Sequence, residues 1–461
     1  MIGALHILDW LVLVLYIVAI IFVGFFRTRH TGKSQEEFIL AGRRLSLPGF
    51  VASLVATWYG GILGVGENTF LYGIQTWVIF GLPYYIFALM FALWLAPKIR
   101  NKHLMSIPDH FHHTYGKIPG VISGVYLLFL SSPAPYILSI GILLQYSFGI
   151  PFGWALIFAT GVSLIYIWYG GFGAVVRTDI LQFILMFTGF ILLIGFAWTK
   201  TGSPFSLLSQ LPESHLNPTG GHSIQYIMVW FFIALWTFVD PGFYQRCAAA
   251  KTPLTAKKGI IISIGFWFFF DLFTLTAGLY ARVLIPNSVP LFSLPELGHT
   301  LLPPLFYGLF LVGVLSTIMS TIDSLGLISA VTYGRDIIWR LRKSTWTHTR
   351  DLPTYLTRQG LIVMASISMI LAFSLQSVVK LWYTIGSLVI PGLLLPFLLT
   401  FTKKTIRSSS AVVLLVLPVV ISAGWFLARS FFTGYPFVLE PFYPGVITSI
   451  LVFFAISKEQ K

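Results

Sequence analysis

Thirteen stretches of about twenty predominantly apolar residues run through the chain, and almost nothing large enough to fold by itself lies between them. They fall at 6–26, 47–70, 74–98, 119–147, 151–170, 174–198, 222–245, 258–286, 300–333, 357–375, 377–400, 410–428 and 441–457. A hydrocarbon core of roughly 30 Å takes about 20 helical residues per crossing. Backbone polar groups must be satisfied inside that layer, so helices are the expected spanning element. With 56% hydrophobic and 10% charged residues, the chain has too much apolar surface for one water-soluble core. The expected fold class is an all-α integral membrane protein with thirteen transmembrane helices. The whole of 1–461 is read as one transmembrane domain.

A net charge of +14 would suit a nucleic-acid partner, but its distribution argues for a membrane and against nucleic acid. Of the 29 lysines and arginines, all but Lys200, Arg282, Lys380 and Arg429 follow odd-numbered spans. The positive-inside rule then places the N-terminus outside and the C-terminus in the cytoplasm, as for a multi-pass plasma (inner) membrane protein. The first span has no basic segment before it and no small-residue cleavage site after it, so it is expected to stay as a helix. The single Cys247 excludes an internal disulfide framework.

Two spans carry helix breakers. The second reads "VASLVATWYGGILGVGENTF", with Gly60, Gly61, Gly64 and Gly66; the seventh contains Asp240-Pro241-Gly242. Freed backbone groups are tolerated in a membrane where they line a cavity or are buried in protein. The breaks lie five spans apart, the spacing of two five-helix inverted repeats that each open on an interrupted helix at a ligand site. That assigns 1–46 to a first helix and loop, 47–198 to repeat 1, 222–400 to repeat 2 and 401–461 to two C-terminal helices. Close helix packing is the plainer explanation for either glycine alone.

The ninth span contains "STIMSTIDSLG". On a helix Thr317, Ser320 and Thr321 share one face. Three oxygens opposed by carbonyls of an unwound neighbour would suit a hard cation such as Na⁺; otherwise each hydroxyl bonds back to its own helix. Glu67, Asp179, Asp240, Asp271 and Asp323 also fall in or at the ends of spans. A carboxylate at the bilayer centre costs about 2.5–3.5 kcal/mol, so such acids have partners or functions. Asp179 has a structural alternative in pairing with nearby Arg177. Asp271, within "GFWFFFDLF", has no evident partner in the sequence.

At these residues the chain resembles the sodium:solute symporter family along nearly its whole length. "EEFILAGRRLSLPGFVASLVAT", "GGFGAVVRTDILQFILMFTG", "FYQRCAAAKT" and "STIMSTIDS" carry the resemblance. It implies an amino-acid-transporter-type inverted-repeat (5+5) core and Na⁺ as the coupling ion, with no other cofactor. The Na⁺ site it implies uses the carbonyls of Ala56 and Tyr59 with Thr317, Ser320 and Thr321. Asp179, Asp323 and Ser324 match a second Na⁺ site or path, where the acid at 323 departs from an all-hydroxyl pattern. "ATWYGG" is similar to the choline-transporting branch, which implies that Trp58 faces the solute; Asp240 stands where that branch has another aromatic. Tyr84 and the kinked "SSPAPY" are further candidate walls, by position. For Trp58, ordinary packing or an interfacial anchor is the alternative.

The expected function is a secondary active symporter, working as a monomeric unit, that couples inward Na⁺ movement to uptake of a small organic solute. A proton-coupled or uncoupled carrier of the same fold is the alternative. A membrane metal enzyme is a weaker one: its best evidence, the "DHFHH" cluster of His110, His112 and His113, lacks the further histidine boxes such enzymes need. A sensor would carry a signalling module that the stretch after the last span does not supply, and a passive channel would need no ion-coupling site.

Overall fold

The computed structural model describes residues 5–25, 34–342, 354–374, 377–404, 406–431 and 435–459. Among these, ten helices are long and apolar enough to cross a membrane, or eleven with one bent pair counted as a single span. Thus the architecture is nearly all helical, as expected, while thirteen exceeds the number established by length and composition. Two stretches account for much of the gap. The one at 151–170 meets the next at a backbone break at Gly171 within Phe152–Thr201, and the last is a shorter apolar helix, Phe442–Ile456.

The first helix, α1 (Ile7–Phe25), buries a stripe of Asp9, Leu13, Tyr16, Ile20 and Gly24 and leaves the rest of its surface apolar and exposed. That is the pattern of a helix at the lipid boundary, where the outer face meets acyl chains. The second span is two helices, α2 (Leu47–Trp58) and α3 (Ile62–Tyr72), bent by 55° across Tyr59-Gly60-Gly61. Outside the spans, α4 (Ile107–Tyr115) carries the histidine cluster. Phe152–Thr201 is interrupted at Gly171, whose φ of +57° suits glycine, and its second part is α5 (Gly171–Thr201).

The seventh span breaks at Asp240, whose extended backbone (φ −69°, ψ 119°) leads into α6 (Pro241–Ala249). Proline at the first helical position and an aspartate cap together explain the restart: Asp240 Oδ1 accepts from the Phe243 amide at 2.8 Å. Then come α7 (Pro253–Leu284), α8 (Phe306–Arg342) and α9 (Val378–Leu399).

Helix α8 is buried along its whole apolar length, at the centre of the molecule. Its tightest neighbour is α5, where Gly189 and Gly313 let the two backbones meet; a Cβ on Gly189 would lie 3.2 Å from Gly313 Cα. Close approach through small residues is how membrane helices gain packing energy. A helix enclosed by protein on all sides can carry hydroxyls that lipid would penalise, which is why "STIMSTIDS" is tolerated here. The first turn of α8 is capped from another helix: Asp9 Oδ1 of α1 accepts from the amides of Leu305 (3.0 Å) and Gly308 (2.8 Å).

Candidate functional site

The break between α2 and α3 lies directly against α8. Thr321 Oγ1 bridges the two, within hydrogen-bonding distance of the Thr57 carbonyl (2.8 Å) and of Thr317 O on its own helix (3.0 Å). A hydroxyl has one proton, so it serves one of these acceptors at a time. The double glycine has a steric cause. A Cβ on Gly60 would fall 2.5 Å from Thr321 Cβ and Oγ1, and one on Gly61 would fall 2.1 Å from the Trp382 ring. Ala56 is buried beside this break, and Tyr59 O accepts from the Ile62 amide at 3.0 Å. Thr317 bonds back to Val314 O (2.6 Å) and Gly313 O (3.1 Å), while Ser320 donates across to Asp179 Oδ1 at 2.6 Å. One hydroxyl therefore serves its own helix, one crosses to a neighbour, and one does both.

Ser320 leads into a second cluster, fully enclosed by protein. Asp179 Oδ2 accepts from Ser53 Oγ at 2.5 Å and lies 3.6 Å from Arg246 Nη2. That guanidinium nitrogen also donates to Ser53 Oγ (2.9 Å), Thr57 Oγ1 (2.7 Å) and Ser324 Oγ (2.7 Å). The alternative partner for Asp179 is thereby corrected. Arg177 turns to the Val23 and Gly24 carbonyls of α1, and Arg246 takes the acid. Adjacent side chains on α5 project about 100° apart, so residues two apart do not face each other. Asp323 is equally buried, one turn beyond Met319, whose sulfur accepts from the Tyr16 hydroxyl of α1 at 3.6 Å. Arg246, Ser53 and Thr57 escaped the sequence reading, although Arg246 lies within the "FYQRCAAAKT" run.

Beyond the break opens a cavity of ≈ 110 Å³, bounded by Trp58, Tyr84, Tyr136, Trp382, Asp240 and Asp271 among others. All three sequence-predicted solute residues, Trp58, Tyr84 and Asp240, border it. The Trp58 ring packs 5.0 Å from Tyr84, 5.2 Å from Trp267 and 5.6 Å from Phe243, centroid to centroid. Asp271 of α7 accepts from the hydroxyls of Tyr59 (3.0 Å) and Tyr85. Tyr59 belongs to both regions, with its carbonyl in the break and its hydroxyl also within reach of Trp267 O at 2.9 Å.

The "DHFHH" residues have other occupations. Asp109 receives a two-pronged contact from Arg335 (2.8 and 2.9 Å) and another from Arg340 (2.7 Å), and both arginines also reach Asp336. Burial works to raise the Asp109 carboxyl, but the two guanidiniums outweigh it and hold it below the ordinary carboxylate range. His110 Nε2 lies 2.9 Å from the Tyr244 hydroxyl, and burial pushes the imidazole down to about 3. Among the described residues, no three His, Cys, Asp or Glu side chains stand together as metal ligands.

With this geometry in view, the sodium:solute symporter family model matches residues 38–417. The chain belongs to that family. It is therefore a multi-pass membrane transporter that couples solute movement to Na⁺, and not an enzyme. A sodium/proline symporter of Staphylococcus aureus is 22% identical over 486 aligned positions, covering 98% of this chain and 93% of the relative. Sodium/proline symporter 2 of Staphylococcus saprophyticus is 23% identical over 359 positions, covering 72% of this chain and 69% of the relative. Among solved structures, a Na⁺-coupled sialic acid symporter in a substrate-bound, outward-open state superimposes with a TM-score of 0.81 at 18% identity, over 98% of this chain and 97% of the other. Mhp1, a nucleobase-cation-symport-1 family transporter, gives 0.59 at 11% identity, over 94% and 96%. Both likenesses concern the fold.

Proposed function

We propose that this symporter binds Na⁺ where α8 meets the broken second span, using the Ala56 and Tyr59 carbonyls with Thr317, Ser320 and Thr321, and binds a small organic solute in the cavity at Trp58, Tyr84 and Asp240. The observation that carries the ion site is the direct contact of Thr321 with the α2 carbonyl at Thr57, in space kept open by Gly60. Oxygens from two helices already converge there. An ion between them would strengthen the tie and favour the state in which they are closest, because a ligand shifts an equilibrium only by its differential affinity. Inward Na⁺ movement draws about 2.3 kcal/mol per charge per 100 mV from the membrane potential, enough to drive uptake uphill.

In this reading the chain has thirteen spans, an outside N-terminus and a cytoplasmic C-terminus in the plasma membrane, and works as a monomeric unit. Residues 47–198 and 222–400 are the two repeats. The paired breaks at Gly60 and Asp240 support that division. Asp179 and Ser324 line the Na⁺ path beyond the first site, with Arg246 among them; Asp323 stands toward α1. The relatives named for proline suggest a solute of that size, and a cavity of ≈ 110 Å³ has room for it.

The test is the thermal midpoint of the purified protein in NaCl against KCl, with no solute added. Na⁺ at about 100 times its dissociation constant should stabilise the native state by about 2.7 kcal/mol. Thr321→Ala should lose most of that increment while remaining folded in KCl; an undiminished Na⁺ response would remove Thr321 from the site.

A further inference from the structure

The acidic side chains of this protein divide by how their charge is met. Asp179 faces Arg246, Asp109 and Asp336 share Arg335 and Arg340, and Glu36 pairs with Arg43. Asp271 differs. It sits in the middle of α7, a span of the membrane domain, and among the described residues no lysine, arginine or histidine lies within ion-pairing distance of it. Its hydrogen-bond partners are the hydroxyls of Tyr59 and Tyr85. Tyr85 donates to Asp271, while the single Tyr59 proton is shared between Asp271 and the Trp267 carbonyl, and neither hydroxyl brings a positive charge. An acid left in this condition within a membrane protein marks a place where a cation arrives.

The surroundings say what kind of cation. Asp271 is half-buried and lines the same cavity as Asp240, as well as a smaller neighbouring pocket with Thr69, Thr76 and Trp77. Asp240 has committed Oδ1 to the start of α6. Around both acids stand the rings of Trp58, Tyr84, Tyr136 and Trp382, whose faces attract positive charge. The one guanidinium on the cavity wall, Arg246, is turned to Ser53, Thr57 and Ser324. A solute carboxylate would therefore meet two acids and no available basic side chain among the described lining residues. The mostly apolar rings also disfavour a small hydrated metal ion, which needs a shell of oxygens.

We infer that Asp271, with Asp240, is the counter-ion for a cationic nitrogen, and that the transported solute is a small organic cation, an ammonium or quaternary amine without a carboxylate. This rests on the reading of the cavity as the solute site. It gives Asp271 a direct binding role and makes the Tyr59 and Tyr85 hydroxyls its positioning groups.

The experiment uses the purified full-length protein and follows its thermal midpoint during titration with choline, tetramethylammonium, proline and lactate, each in NaCl and in KCl. Choline and tetramethylammonium should stabilise the protein in NaCl, with proline and lactate inert at the same concentrations. Asp271→Asn should raise the half-saturating choline concentration at least tenfold, with its unliganded midpoint reporting that it is folded, and Asp271→Glu should recover part of the loss. The inference is overturned if no ammonium compound shifts the midpoint, if proline or lactate stabilises as well as choline, or if Asp271→Asn binds choline like the wild type. Choline binding of equal strength in NaCl and KCl, weakened by Asp271→Asn, would support the cation site and count against Na⁺ coupling at this cavity.

Discussion

Two groups of aspartates, one around α4 and the end of α8 and the other in the central cavity, show opposite treatments of the same charge. Asp109 and Asp336 are enclosed with Arg335 and Arg340, and Ser106 adds a hydroxyl to Asp336 at 3.1 Å. Asp240 and Asp271 keep surface in a cavity walled by aromatic rings. The first group is complete without anything from outside and joins a short helix to the end of a long one. In the second, no basic side chain among the described residues lies within ion-pairing distance of either acid. Charge balance and burial separate the two groups together: Asp109 and Asp336 are buried and paired, whereas Asp240 and Asp271 are half-buried on the cavity wall.

The sharpest way to break that comparison is to remove one acid from each group. Asp109→Ala leaves Arg335 and Arg340 enclosed with half their counter-charge, and truncating one partner of a buried pair costs about 3–5 kcal/mol. Chemical or thermal unfolding of the variant should show a loss of that order; a change under about 1 kcal/mol would mean the cluster is solvated and not structural. Because the Asp109 carboxyl is held below its ordinary range, its contribution is fully present above about pH 4 and is lost only on stronger acidification.

An effect of comparable size, but visible only on acidification, should come from His110, which abuts the same cluster. Its ordinary value is about 6.5, and burial lowers it to about 3 in the folded protein. Between those values the unfolded chain binds a proton that the folded chain refuses. Stability is therefore complete above about pH 6.5 and falls with acidification, by up to about 1.4 kcal/mol per pH unit. The midpoint of His110→Gln should decline less steeply between about pH 6.5 and 4 than that of the wild type, and parallel curves would show that His110 does not set this slope. The smallest change is expected in the cavity. Asp271→Asn keeps an acceptor for the tyrosines and removes an unpaired charge, so without solute its unfolding free energy should stay within about 1 kcal/mol of the wild type or rise. A loss on the scale of Asp109→Ala would place Asp271 with the structural acids.

How much of this was legible in the chain follows from what each signal measures. Apolar length reveals spans, and Gly60, Gly61 and Asp240-Pro241 reveal where they break, because backbone irregularity must be written locally. The shared face of Thr317, Ser320 and Thr321 was legible for the same reason. Their separate partners were not, since a helical wheel gives directions within one helix and not which neighbour stands opposite. Arg246 of α6 reaches Asp179 of α5, and Tyr59 extends its hydroxyl to Asp271 while its carbonyl stays at the break. Those pairings exist only once helices are rotated about their axes, and hydropathy is blind to that rotation. Length and composition alone establish ten or eleven of the thirteen expected spans among the described residues, because 151–170 joins the next stretch at the Gly171 kink and the last apolar helix is short.

The cap that Asp9 places on the first turn of α8 has a mechanical consequence. A rod pinned near one end can only swing about that end, and the hydroxyls proposed to bind Na⁺ lie well down its length. From Gly308 to Ser320 is twelve residues, about 18 Å of helix. A tilt of about 5° around the pinned turn would carry Ser320 and Thr321 through about 1.6 Å, many times the roughly 0.2 Å within which ligand distances must hold. Helix α1 would then act as the fulcrum, and a lever arm of that length would turn a slight reorientation of α8 into the making or unmaking of the proposed Na⁺ site.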